Sequence, residues 1–473
     1  MRLVAWPTSG LSGRVVDADG DPVGRVQVLA LRIIYRGGKQ ETTIAQTVMT
    51  DDRGDYRMFW LTPGSYRVAA RQWDAEGGAP AVNIGPPRRF GTVQQGTTPL
   101  VSRRTLPDGT VVEETDVPIY APATPDPQLA TTVVLAPGDS ATDVDIQLAG
   151  NRVRAHHLRG VVIAPGAQPG RLQLLVVPRT TSPFVTVASA ASRVDGSFDV
   201  GGVAPGSYVL YSQEGTFTNA SAALPIDVGE ADVDNIALTI PASISLNARV
   251  TIDRDTGNTA RADLSNLHVQ LTRDPDYIGA PVGGPRMNPA PSQDWTMALS
   301  GLSPGDYRVG LTPMRRREAD EDRVGPPAAA GLENAFVKSI RLGSADVLAD
   351  GLHIAGPTSS TLDIVVSLDG AEVEGDALDG SRTPIANVTV VAIPDAARRG
   401  RADSYRRAIT DGRGHFSLQG LAPGDYTVYA WDDIERGAWE SPEFMRAFEG
   451  RGRFVRLHEG RNDALELSVM TGR

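Results

Sequence analysis

One six-residue phrase occurs four times in this chain and constrains its fold more than any other feature. It reads Leu61-Thr62-Pro63-Gly64-Ser65-Tyr66, Val203-Ala204-Pro205-Gly206-Ser207-Tyr208, Leu302-Ser303-Pro304-Gly305-Asp306-Tyr307 and Leu421-Ala422-Pro423-Gly424-Asp425-Tyr426. Proline presets φ near about −65° and glycine tolerates φ > 0, so each phrase predicts a type II turn. The flanks have period 2. Before the turns lie the pairs Tyr56/Met58, Phe198/Val200, Met297/Leu299 and Phe416/Leu418; after them, Val68, Leu210, Val309 and Val428 continue the alternation. Each phrase therefore predicts a half-buried strand, a turn and a second half-buried strand. The tyrosine is expected to plug the end of the core and bond backbone through its hydroxyl, as in a tyrosine corner.

Each copy also opens and closes alike. The openings are Leu11-Ser12-Gly13-Arg14-Val15, Leu158-Arg159-Gly160-Val161-Val162, Leu246-Asn247-Ala248-Arg249-Val250 and Val373-Glu374-Gly375-Asp376-Ala377. The closing strands carry Val144/Ile146/Leu148, Ile236/Leu238/Ile240, Leu362/Ile364/Val366/Leu368 and Leu465/Leu467/Val469. Short strands between Gly, Pro and Asp turns, without long helical periodicity, point to an all-β chain of four tandem Greek-key β-sandwiches. The expected domains are 8–150, 151–241, 242–369 and 370–473. The turn glycines are 142, 99 and 119 residues apart, and the first excess is a Pro/Gly-rich insertion at 74–120 with a hairpin around Pro107-Asp108-Gly109. The third copy carries extra loops at Gly279–Pro291 and Arg315–Arg323. Ser441-Pro442-Glu443 reads as a helix start, which predicts a short helix near 441–449 with Phe444 and Phe448 on one face.

The first copy, from Leu-Ser-Gly-Arg-Val at 11–15 through Asp17-Ala18-Asp19-Gly20-Asp21-Pro22 and Asp52-Arg53-Gly54-Asp55-Tyr56 to the Pro-Gly turn, resembles the carboxypeptidase regulatory-like domain. The fourth copy resembles it through Pro384–Val390 and Thr410–Phe416, and the second through Asp195-Gly196-Ser197-Phe198. The third diverges, with Gln293-Asp294-Trp295 where the Asp-x-x-Gly pattern belongs. The resemblance implies a transthyretin-like, seven-stranded sandwich close to the carbohydrate-binding-like folds. It also implies a non-catalytic role on an exported bacterial protein, in the periplasm, at the cell surface or secreted. No signal peptide is visible in Met1–Trp6.

The candidate chemistry is sparse. The chain has no cysteine, which excludes disulfides and thiol catalysis. Its net charge of −11 argues against nucleic acid as the main partner, and no run is long enough to span a membrane. The six histidines, His156, His157, His268, His353, His415 and His458, form no zinc-peptidase motif and read as surface residues. Gly301-Leu302-Ser303-Pro304-Gly305 matches a nucleophile elbow, but Pro304 has no N–H for an oxyanion hole. Asp17-x-Asp19-Gly20-Asp21 lacks the spacing of a calcium loop and reads as a tight turn, and Asp51, Asp52 and Asp55 read as turn caps. Arg88-Arg89, Arg103-Arg104 and Arg315-Arg316-Arg317 read as solvated loops with local ion pairing. No cofactor and no metal site is expected.

Among 46 basic residues only Lys39 and Lys338 are lysines. Sandwiches of Gram-positive adhesins and pili resemble these domains and often carry a Lys–Asn isopeptide lock. The lysine-free second and fourth copies cannot form one, so a pilus shaft locked that way is disfavoured.

The expected function is a non-enzymatic scaffold or interaction array outside the cytoplasm, with a polysaccharide or a cell-surface protein as partner. One alternative is a carbohydrate-binding protein using aromatics of the last domain, with Trp431 and Trp439 as the stacking candidates. For the phenylalanines of that domain, the competing reading is that the short helix packs them onto the sheet. A further alternative is an accessory fragment of a larger exported enzyme or receptor.

Overall fold

The computed structural model describes residues 8–71, 101–149, 151–164, 171–179, 187–213, 220–240, 244–253, 267–274, 295–313 and 332–472. The chain divides into two compact units, one mainly Met1–Ile34 with Glu41–Pro241, the other mainly Ala242–Asp276 with Gly283–Arg473.

The first unit opens with β1 (Ser9–Asp17), β2 (Gln27–Arg36), β3 (Lys39–Met49), β4 (Asp55–Leu61) and β5 (Gly64–Arg71). There follow β6 (Val101–Thr105), β7 (Val111–Asp116), β8 (Ile119–Tyr120), β9 (Val133–Leu135), β10 (Ser140–Ala141) and β11 (Ile146–Leu148). In one sheet β1 pairs antiparallel with β4 and parallel with β10 and β11. The other sheet is β3-β2-β5, with β8 and β9 against β5. A linking strand, β12 (Arg152–Arg154), leads into a seven-stranded sandwich. Its strands are β13 (His156–Ile163), β14 (Gln173–Pro178), β15 (Ala188–Ala191), β16 (Ser197–Val203), β17 (Gly206–Gln213), β18 (Ala220–Val228) and β19 (Val233–Thr239). Its sheets are β16-β13-β19 and β15-β14-β17-β18.

The second unit repeats the plan. Its first sandwich holds β20 (Ile244–Ile252), β21 (Leu267–Asp274), β22 (Trp295–Leu302), β23 (Gly305–Pro313), β24 (Phe336–Leu342), β25 (Ala345–Asp346), the one-turn helix α1 (Val347–Asp350), β26 (Leu352–Ile354) and β27 (Thr361–Ser367). Its last sandwich holds β28 (Ala371–Leu378), β29 (Thr389–Pro394), β30 (Arg406–Ile409), β31 (His415–Leu421), β32 (Gly424–Trp431), α2 (Pro442–Met445), β33 (Arg453–Leu457), β34 (Gly460–Arg461) and β35 (Leu465–Met470). Four separate apolar cores fill the four sandwiches, centred on residues such as Val68, Leu210, Val309 and Val428. The all-β, four-sandwich expectation holds.

The Pro-Gly phrase does something other than a type II turn. The strand before it and the strand after it never pair with each other. β4 pairs β1 while β5 pairs β2, and the same split recurs for β16/β17, β22/β23 and β31/β32. The phrase is an arch that carries the chain from one sheet to the other. Its glycines take φ of 153°, 158°, 147° and 139°, more extended than the ~+80° of a type II turn. A tyrosine seals each arch from inside. The hydroxyls of Tyr66, Tyr307 and Tyr426 donate to the carbonyls of Thr62, Ser303 and Ala422, at 2.6, 2.7 and 3.0 Å. Tyr208 is buried at the equivalent place.

The opening glycine marks a second shared device. In copies one, two and four, the parallel pairing of first and last strands slips by one residue there. Leu11 faces Ala141 but Val15 faces Ile146; Leu158 faces Val233 but Gly160 faces Ile236; Glu372 faces Arg461 but Gly375 faces Leu465. The bulge drives a carbonyl of the last strand onto the glycine. A Cβ would stand 2.2 Å from the Val144 oxygen at Gly13, and 2.0 Å from those of Ile236 and Leu465 at Gly160 and Gly375. The third copy keeps one register from Asn247↔Thr361 to Ile252↔Val366, and there Ala248 fits.

The strands of the second sheet depart from simple alternation. Val388, Val390 and Ala392 face the core of the last sandwich, while Val391 and Ile393 are buried in a separate apolar cluster on the opposite face. Leu29 with Leu31, and Leu175 with Val177, do the same in the first and second sandwiches. Strands buried on both faces read as continuous apolar runs, which is how Leu174–Val177 appears in the sequence.

Candidate functional site

Trp431 and Trp439, the stacking candidates, lie in the outer cluster of the last sandwich. Trp431 ends β32 with its side chain on the face opposite the main core. Ser441 caps α2 by accepting the Phe444 N–H at 3.4 Å, Pro442 occupies the first turn, and a 3-10 turn at Arg446–Phe448 continues the element. This is the helix expected near 441–449. It sets Phe448 edge-on to Trp431, ring centroids 5.6 Å apart, and Phe444 at 5.2 Å from Phe448. Tyr429 stacks on Trp431 at 5.2 Å with planes 11° apart. The result is burial: Trp431 is 0% and Trp439 6% exposed. Stacking a sugar requires a free ring face, and neither indole presents one. The helix packs its phenylalanines inward, over the sheet.

Asp17 and Asp51 act as turn caps, whereas the Asp55 carboxylate, expected as a cap, pairs with Arg14 at 2.7 Å. The Asp17 carboxylate accepts the N–H groups of Asp19 and Asp21 at 3.0 and 2.9 Å, and Asp51 accepts those of Arg53 and Asp55, both at 2.9 Å. Asp379 and Asp411 repeat the pattern in the last sandwich, at 2.8–3.0 Å. The two N–H groups on Asp411, from Arg413 and His415, hold its pKa below the ordinary carboxylate value. Ser303 of the elbow-like motif sits in the arch, its carbonyl and N–H both engaged by the Tyr307 hydroxyl. The hairpin at Pro107-Asp108-Gly109 joins β6 to β7, and Arg103 and Arg104 pair with Glu113 and Glu114 at 3.0 and 2.8 Å. Arg88-Arg89, Arg315–Arg317 and the Gly279–Pro291 loop lie outside the described residues.

The histidines are not all surface residues. His156 is only 2% exposed, so it is not a surface residue. Its neighbour His157 is half-buried and stands between two carboxylates: Nδ1 is 2.5 Å from Asp199 and Nε2 3.0 Å from Glu113. His353 and His415 each pair with a single aspartate, Asp306 and Asp376, at 2.6 and 3.1 Å. Among the described residues no three His, Asp or Glu side chains gather as a metal site. An open cleft of about 460 Å³ lies beside His157, lined by Val101, Arg103, Glu113, Ser189, Asp199 and Gly201.

Sequence reading also missed an exposed aromatic pair. All four copies share a bulge just before the arch, where Ser9 faces Leu61 but Leu11 faces Met58. There Phe59 and Trp60 stand opposite the single Gly10, their ring centroids 6.1 Å apart. Trp60 is 47% exposed and left-handed, φ 58°, where copies two and four place Gly202 and Gly420 at φ 78° and 70°. The signal was a tryptophan in a column otherwise occupied by glycine. A left-handed non-glycine residue costs about 1–2 kcal/mol, and glycine brings back about 0.5–1 kcal/mol of backbone entropy cost. Trp60→Gly is therefore expected to raise the stability of the first sandwich by up to about 1 kcal/mol. Urea melts of the two proteins check this; a clear loss of stability would refute it.

Residues 10–88 match the family model of the carboxypeptidase regulatory-like domain. No curated protein matches the chain. Among solved structures, the TIE protein of Bacillus anthracis is 8% identical, with 97% of this chain and 72% of that one covered and a TM-score of 0.15. The streptococcal ancillary pilin is 11% identical, covering 67% and 98%, TM-score 0.18. BcpA, the major pilin subunit of Bacillus cereus, is 10% identical, covering 97% and 98%, TM-score 0.16. The stretch that matches this family model lies in the first sandwich, and the three sandwiches after it reuse that sandwich's arch and its division into two sheets.

Proposed function

We propose that the chain is a non-enzymatic extracytoplasmic scaffold, an array of carboxypeptidase regulatory-like sandwiches that holds or spaces other molecules. The supporting observation is where the repeated residues go. The tyrosines seal arches, the opening glycines admit a crossing carbonyl, and the aspartates cap turns. A residue type repeated for catalysis would converge on a reacting atom, whereas these bond backbone of their own sandwich. The extracytoplasmic placement rests on the family resemblance. Among the described residues no helix is long and apolar enough to cross a membrane.

Two measurements test the reading. The purified chain is expected to show no turnover above background on peptide, ester and glycoside panels. Turnover abolished by Ser303→Ala would overturn the non-enzymatic assignment. Fractionation of cells expressing the native gene is expected to find the protein outside the cytoplasm; a purely cytoplasmic pool would sink the placement.

A further inference from the structure

The hairpin β6–β7, inserted in the first repeat, attaches to the second sandwich at two places. Its backbone pairs with β12 over Arg152–Arg154, and the Ala155 N–H donates to the Glu113 carbonyl at 2.8 Å. Side chains join them too: Asp116 of β7 meets Arg152 and Asn151 at 3.5 and 3.4 Å, and among the described residues His157 of β13 ties the hairpin to the sandwich's own strands. The ring lies over Gly201 of β16, where a Cβ would come within 2.9 Å of imidazole Cε1. Glycine leaves the slot that the ring fills. Nδ1 reaches Asp199 of β16, inside the sandwich, and Nε2 reaches Glu113 of β7, on the hairpin.

Ionised carboxylates only accept hydrogen bonds, and a neutral imidazole has only one N–H to give. Both bonds exist together only in the imidazolium. On losing a proton the ring must drop one partner. The Asp199 bond is the shorter and joins two strands already paired with each other in one sheet. The Glu113 bond crosses to a hairpin held otherwise by the short β7–β12 ladder and by the Asp116 carboxylate on Arg152 and Asn151. We propose that His157 is a proton-controlled latch: protonated, it fastens the inserted hairpin to the second sandwich, and neutral, it lets the hairpin go.

The surrounding charges favour the closed form. Facing the ring or its partners are Glu113 and Arg103 from the hairpin, Arg159 and the buried His156 from β13, Asp199 from β16, and Asp232 and Asp234 from the start of β19. Four carboxylates outnumber two guanidiniums. Arg159 is itself held by Asp199, Asp232 and Asp234, and Arg103 by Glu113. Burial alone would lower the His157 pKa, but the hydrogen bonds to Asp199 and Glu113 outweigh it and raise the group above its ordinary value. The bond from His157 in turn holds Glu113 below the ordinary glutamate value, against its own burial. The sign follows. A raised histidine contributes stability that is full below about pH 6.5 and is lost as pH rises through the folded-state pKa. The His157 side chain keeps 24% exposure, which gives water access for proton exchange.

The test uses the full chain. Histidine-resolved NMR follows the titration of His157, and hydrogen exchange of residues 101–116 is compared at about pH 6 and about pH 9, which bracket the ordinary histidine range. After correction for intrinsic rates, protection of the β7–β12 amides is expected to fall roughly tenfold or more at the higher pH, with β13–β16 amides unchanged. His157→Gln is expected to give the low-protection state at both pH values. Glu113→Gln, which leaves the sandwich untouched, is expected to flatten the step and lower the His157 pKa. The latch is overturned if hairpin protection has no pH step in the unmodified protein. It is equally overturned if the step survives in His157→Gln or His157 titrates at or below the ordinary value.

Discussion

Replacing Gly160 by alanine is expected to destabilise the second sandwich by about 3–5 kcal/mol, the upper range for a single substitution. The cause is local and geometric. The alanine Cβ would stand 2.0 Å from the Ile236 oxygen and 2.7 Å from the Ile236 Cβ, distances that no side-chain rotation can relieve. The obstructing atoms belong to the backbone of the last strand, so that strand must move and break its parallel ladder with β13. Gly375→Ala should act the same way in the last sandwich, against Leu465. Ala248→Gly, at the matching place in the third copy, is expected to cost only about 0.5–1 kcal/mol of backbone entropy. Hydrogen exchange resolved by sandwich is the proper readout, because a chain with several cores need not melt in two states. Near-normal protection of β13 in Gly160→Ala would show that the bulge can open without cost.

A comparable loss, about 3–5 kcal/mol, is expected for Trp431→Ala in the last sandwich. The indole is fully buried, stacked on Tyr429 and met edge-on by Phe448. Its removal leaves a cavity that β32 and α2 cannot both collapse into. The predicted sign matters for interpretation. A Trp431→Ala protein that fails to bind a sugar would report a damaged sandwich rather than a lost platform. The informative comparison is the intrinsic fluorescence of the unmodified chain with added oligosaccharides, where the buried indoles are expected to stay silent. Quenching or a spectral shift of Trp431 at full native stability would refute this.

The architecture was legible because its signals are local and repeated. The Pro-Gly-x-Tyr phrase, the period-2 flanks and the Asp-Gly turns are all decided within a few residues, and four copies average out the noise. The helix at Ser441-Pro442-Glu443 was legible for the same reason, since a cap and a first-turn proline need no tertiary context. The errors have one physical source. Whether the strands flanking the arch pair with each other or split between sheets is a long-range fact that alternation does not encode. Burial of the outer face of β29 and β32 depends on what a distant helix lays over it, so Trp431 and Trp439 looked available. His157 looked like surface because Glu113, 44 residues earlier, arrives only when the insertion folds back. Ala248 in a glycine column was readable as divergence, but its meaning, an uninterrupted parallel register, needed coordinates.

The pairing of first and last strands has a mechanical consequence. In every sandwich the two are neighbours and parallel: β1 with β11, β13 with β19, β20 with β27 and β28 with β35. The chain therefore enters each sandwich at one end of that pair and leaves at the other. Tension applied through the chain pulls the two strands lengthwise past each other. Their hydrogen bonds share the force and must yield together, where an antiparallel pair drawn apart from one end would unzip them singly. Each repeat is thus wired to resist being stretched along the direction in which the chain runs through it.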